Sequence, residues 1–248
     1  MRTVLSGYLL ATLLLWTGVA RAQQPAADTS QTALASLQQR YTTTQGYNLR
    51  LYNGPEYVNY MRRYVKGHQF FGTDELRPAT IDYDGATYLN IPLRYDLVRG
   101  QVVLKAPLGA LDLRLVNEHL TRFTLAGHTF VRLQPPADNG LPAATGFYDL
   151  LLDGPTPVLV ARSKKVLESM TPEGASGEVV ERNEVFIGKA GRYYPVSKAS
   201  AVLRLFPENK AVLRKYAKDK GLKFNPQYRE NSILELVRYQ RTLAPAGQ

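Results

Sequence analysis

The chain contains no cysteine. That absence excludes disulfides, thiolate metal sites, a cysteine nucleophile and lipidation of an N-terminal cysteine. Histidine is almost as scarce, with only His68, His119 and His128, and no HExxH or i, i+4 pair that would present two imidazoles to a zinc ion. Two of the three stand beside a turn glycine (Gly67-His68 and Gly127-His128), the setting of a structural hydrogen-bonding histidine. Beyond residue 22 no apolar run approaches the roughly 20 residues that a helix needs to cross a bilayer. A GxSxG elbow is missing, since Gly174-Ala175-Ser176-Gly177 lacks the spacing, and so is SxxK. Gly188-Lys189-Ala190-Gly191 is too short for a phosphate loop and joins two strand-like segments. Asp82-Tyr83-Asp84-Gly85 resembles part of a calcium loop, but that alignment puts Thr80 first and Ile91 last, where carboxylates are required. No cofactor is expected.

What is present is an ordinary globular composition on 248 residues, 44% hydrophobic and 21% charged, with a formal charge of +10. This excludes a collagen, a coiled coil and wholesale disorder, and allows one or two domains with a sizeable core. Arg2 precedes an uncharged, leucine-rich stretch from Val4 to Val19, and Ala20-Arg21-Ala22 offers a small-x-small cleavage site. Residues 1–22 read as a secretory signal peptide, cut before Gln23. The polar residues 23–45 read as a tether.

From Tyr47 onward the hydrophobic pattern has period 2, broken by short glycine turns. Ile81 and Tyr83 alternate with Asp82 and Asp84, and Asp84-Gly85 is a type I′ hairpin signal. Arg99-Gly100, Ala126-Gly127 and Asp153-Gly154-Pro155 mark further turns. Loops this short cannot hold crossover helices, so the spacing predicts an antiparallel meander of about eight to eleven strands. That many twisted strands curl into a barrel-like or two-layer form. One interruption is expected, a helix opened by Pro55 that places Tyr57, Tyr60, Met61 and Tyr64 on one stripe and lies as a lid on the sheet.

The charge is lopsided. Residues 23–188 carry 16 Lys and Arg against 17 Asp and Glu, whereas residues 189–248 carry 13 against 4, a net of +9. The basic segment also changes period. Ser197 caps a helix from Lys198 to Phe206, Pro207-Glu208 opens a second that Gly221 stops, and Asn225-Pro226 starts a third with Ile233, Leu236, Val237 and Leu243 on its apolar side. The polar side carries Lys210, Arg214, Lys215, Lys218, Lys220 and Lys223. These six form either a solvated face or a surface for an anionic partner: a lipid headgroup, a glycan or an acidic protein. Export argues against nucleic acid.

Five segments carry a resemblance: Leu51-Tyr52-Asn53-Gly54-Pro55-Glu56-Tyr57, Leu93-Arg94-Tyr95-Asp96, Gly127-His128-Thr129-Phe130-Val131, Arg192-Tyr193-Tyr194-Pro195-Val196 and Leu205-Phe206-Pro207. In this order, behind a signal peptide, the chain resembles a group of uncharacterised secreted bacterial proteins. The resemblance implies a location outside the cytoplasmic membrane and no particular activity or site residue.

The expected protein is thus mainly β with α. Residues 46–196 form an antiparallel meander sheet curled into a barrel-like or two-layer domain, followed by a basic amphipathic helical tail, residues 197–248, packed on it. Its expected role is that of a periplasmic or secreted, non-enzymatic binding or scaffold module with no membrane span after cleavage. A small-ligand or lipid carrier is the alternative, and needs an apolar cavity of roughly 300 Å³. A glycan-directed hydrolase would need two carboxylates about 5 to 10 Å apart across a groove.

Overall fold

The computed structural model describes residues 50–107, 109, 111–133, 139–142, 146–172 and 174–243. The expected signal peptide and tether lie outside them.

Among the described residues eleven strands follow one another: β1 (Val65–Lys66), β2 (Arg77–Tyr83), β3 (Ala86–Asp96), β4 (Gln101–Lys105), β5 (Asp112–Arg114), β6 (Leu120–Leu125), β7 (His128–Leu133), β8 (Gly146–Leu152), β9 (Val158–Thr171), β10 (Gly174–Lys189) and β11 (Arg192–Val196). Three α-helices follow among the described residues: α1 (Ala199–Leu205), α2 (Lys210–Asp219) and α3 (Arg229–Leu243). The protein is mainly β with C-terminal helices, as the periodicities predict.

The hairpins form where two-residue turns allow both central residues a positive φ. Asp84-Gly85, Ala126-Gly127 and Ala190-Gly191 all do so (51° and 75°, 51° and 80°, 50° and 76°), the geometry that follows the right-handed twist of the strands. Asp82-Tyr83-Asp84-Gly85 is therefore a hairpin end. The strand path is β1-β10-β9-β8-β7-β6-β2-β3-β4-β5, with β11 also on β10. Two expectations need correction here. The sheet is mixed, because β1 runs parallel to β10 while the other pairings are antiparallel. It is also open, a meander-like sheet not closed into a barrel.

A third correction concerns residues 55–64, which form no helix. The segment from Pro55 to Arg62 crosses the end of the sheet without helix and turns at Arg63-Tyr64, where Val65 N–H bonds to Arg62 O. Tyr57 N–H bonds to Asp112 O and Arg114 N–H to Pro55 O, and the following strand β1 joins β10. Gly54 is needed at the entry, since a Cβ there would lie 2.0 Å from Arg114 O. The tyrosine spacing imitates a helix, but each ring answers to a partner far along the chain. Tyr57 and Tyr60 donate to Asp96, and Tyr64 donates to Glu168.

Core residues alternate along the strands. Ile81, Leu93, Tyr95, Phe123, Phe130 and Phe147 meet on one face, with Phe123 stacked on Phe130 at 4.8 Å and Tyr95 edge-on to both. Farther along the same face Val158, Val160, Val185 and Ile187 receive the helices through Val202, Phe206, Leu213, Ile233, Leu236 and Val237. Ser197 does not cap α1; Lys198 stands at the N-cap with no side-chain bond. Gly221, at φ 60°, follows α2, and Asn225 Oδ1 accepts from Tyr228 N–H ahead of α3, as expected of both. Among the described residues no helix is long and apolar enough to cross a membrane.

Candidate functional site

The six cations expected to form a surface all lie exposed at the α2 corner. Leu213 anchors α2 in the core, which turns Lys210, Arg214 and Lys218, spaced four apart, and Lys215 beside them toward solvent. Lys218 and Lys220 also stand at the negative end of the α2 dipole. Lys220 and Lys223 sit over the rings of Tyr216 and Tyr228, at 6.0 and 5.6 Å. None of the six makes an ion pair among the described residues.

Asp219 stands exposed at the end of α2 between Lys218 and Lys220, while the other three acids of this segment have partners of their own. Glu230 binds Arg162, Glu235 accepts from the Tyr216 hydroxyl at 3.0 Å, and Glu208 lies 3.8 Å from Lys189. The charge imbalance legible in the sequence is thereby sharpened in space.

Sequence reasoning missed a second constellation. Where the strand core meets the helical layer, Asp149 of β8 is 1% exposed. Its Oδ2 accepts from Arg162 Nε at 2.7 Å and lies 2.7 Å from His128 Nδ1, while its buried Oδ1 has no partner among the described residues. Arg162 turns its other guanidinium nitrogens to the Glu230 carboxylate, at 2.9 and 3.2 Å. Burial opposes its charge, but the Glu230 bonds and the Asp149 carboxylate hold it above the ordinary guanidinium range. Phe71 packs edge-on to His128 at 5.0 Å. The one sequence signal was an acid inside the apolar run Phe147 to Leu152, a position that demands a buried partner.

Of the other histidines, His119 pairs with Asp84, and His68 Nδ1 accepts from Phe70 N–H at 3.2 Å. Burial, then nearby Lys164, hold His68 below the usual imidazole value. The three imidazoles do not converge. No group of three or more His, Asp or Glu able to hold a metal occurs among the described residues.

Three of the grooves among the described residues border the sheet away from the α2 corner. One of about 420 Å³ at the end of the strand core is bordered by Phe71, Pro78, Leu125, Arg77 and Arg94. A second, about 630 Å³ on the opposite face of the sheet, has Asp82, Asp153 and Arg122 on its walls. The third, about 810 Å³, runs beside β10 and β11. The chain matches no family model, no curated protein and no solved structure.

Proposed function

We propose that the protein is an exported, non-enzymatic binding or scaffold module of the bacterial cell envelope that contacts an anionic surface through the α2 corner. A lipid headgroup is the partner put first, ahead of a glycan or an acidic protein. The observation that supports this reading is the excess of cations: six exposed on one corner with Asp219 the acid among them, while Glu208, Glu230 and Glu235 are engaged by Lys189, Arg162 and Tyr216. Each lysine or arginine near an anionic membrane contributes about 1 kcal/mol, within a screening length of about 8 Å at physiological salt.

Co-sedimentation of residues 23–248 with phosphatidylglycerol and phosphatidylcholine vesicles tests the proposal. Binding to the anionic vesicles should fade as salt rises. It should drop at least tenfold when Arg214, Lys215, Lys218 and Lys223 are all changed to Glu. No binding at low salt, or equal binding to both lipids, would overturn it.

A carrier is the second reading, favoured by the groove whose apolar wall is Phe71, Pro78 and Leu125; Arg77 and Arg94 at its rim are already paired with Glu75 and Asp112. A curled, barrel-like sheet goes with that reading. Its support is the segment 55–66, which bonds to β5 near one end and β10 near the other.

A further inference from the structure

β10 is the longest strand, and its two edges are treated differently. Along one edge it pairs with β9 without interruption from Gly174 to Ile187. On the other, β1 takes Gly177 and Glu178, and β11 takes Val185 to Lys189. Val179 to Glu184 have no strand partner there among the described residues. The gap is six residues, about 20 Å at the rise of a strand.

Hairpin geometry fixes which backbone groups face the gap. The two-residue turn Ala190-Gly191 makes Lys189 and Arg192 a hydrogen-bonded pair, so odd-numbered residues of β10 point toward β11. Even-numbered residues point toward β9. Gly188 N–H accordingly donates to Pro157 O, and Arg182 O accepts from Ser163 Oγ on β9. On this register the N–H and C=O of Glu181 and Asn183 open into the gap.

The groove of about 810 Å³ borders the same stretch. Leu141, Pro142 and Phe186 supply apolar wall at the β11 end, and Val180, farther along β10, is exposed. Arg229 closes the end next to Asn183. It forms no ion pair among the described residues, and its Nε, like Asn183 Oδ1, is buried without a partner.

From this arrangement we infer that the gap is a site for strand addition, taking a short extended segment of another polypeptide between β1 and β11. Unpaired backbone donors and acceptors on a sheet edge are matched by another extended backbone. The in-line strands limit the guest to about five or six residues, which excludes the full-length β10 edge of a second copy. Alternate side chains of the guest meet the Leu141–Phe186 wall, and a carboxylate on the guest complements Arg229.

The test uses the full chain and the peptide acetyl-Thr-Val-Glu-Val-Glu-Val-amide, six residues long. Titration by isothermal calorimetry should show binding, with amide exchange at Glu181 and Asn183 slowed at least tenfold in the complex. N-methylation of alternate peptide residues should abolish binding in one phase and spare it in the other, because only one set of amides faces β10. Asn183→Pro removes an outward N–H without touching the β9 ladder, and Arg229→Glu reverses the end charge; each should weaken binding at least fivefold. Failure of the peptide to bind at millimolar concentration would overturn the inference. So would equal binding of the two methylated forms, or slow exchange at both amides in the free protein, which would mean that the chain covers its own edge.

Discussion

Asp96 and Asp149 are buried to the same depth, at 0% and 1% exposure, yet they are satisfied in opposite ways. Asp96, at the end of β3, meets neutral donors. Tyr57 and Tyr60 hydroxyls reach Oδ2 at 2.8 and 2.9 Å, and the backbone amides of Val98 and Arg99 reach Oδ1 at 2.8 and 2.9 Å. Asp149 meets Arg162 and His128 on a single oxygen. The difference shows what each cluster is for. Neutral donors saturate one carboxylate and fasten a single segment, residues 55–60, onto the sheet end. A guanidinium fork divides itself between Asp149 and Glu230, and so ties β8 and β9 to α3.

Cutting the ionic cluster should cost most. Arg162→Met leaves Asp149 buried and frees Glu230, for an expected loss of about 3–5 kcal/mol in urea denaturation. Adding Asp149→Asn removes the stranded charge and should recover part of that loss. A cost below about 1 kcal/mol would erase the distinction between the clusters.

Next comes Asp96→Asn. The amide keeps one acceptor oxygen where the carboxylate had two, and turns a donor toward the phenols, so about 2 kcal/mol should be lost. Faster amide exchange at Val98 and Arg99 should accompany it. If exchange there is unchanged, the carboxylate is not what holds the turn.

The smallest effect sharpens the comparison by pH. Burial, with Asp96 alongside, raises the Tyr57 and Tyr60 hydroxyls above the ordinary phenol value of about 10. Above that pH the unfolded chain sheds these protons first, so stability is complete below about pH 10 and falls as pH rises further. Tyr57→Phe with Tyr60→Phe should cost about 1 kcal/mol each at neutral pH and flatten the fall measured between pH 9 and 11. An unchanged slope would assign the alkaline loss elsewhere, Tyr95 being the next candidate because burial raises it as well.

The hairpins were legible because Asp84-Gly85 and Ala126-Gly127 encode their turns within two residues. The helices were legible because Leu213, Ile233, Leu236 and Val237 fall at helical spacing. The path of residues 55–64 was not, because Tyr57 and Tyr60 owe their positions to Asp96, some 36 to 39 residues away. His128, Asp149, Arg162 and Glu230 share no motif either; the topology alone brings them together. Export, partners and the role of the basic corner rest on charge and composition, which describe a surface without naming what touches it.

The N-terminal strap has a consequence for the order of folding. Each hairpin closes over a few residues, while Tyr64 and Glu168 meet across a separation of 104. Closing so large a loop adds an entropic barrier to any nucleus that includes it, so contacts near in sequence precede it. The strands from β6 to β11 can therefore assemble while the flank of β10 is bare, and the strap arrives afterwards. Within the strap it is the far end, Tyr64 to Lys66, that docks last, and by the same reasoning it is the first part to let go.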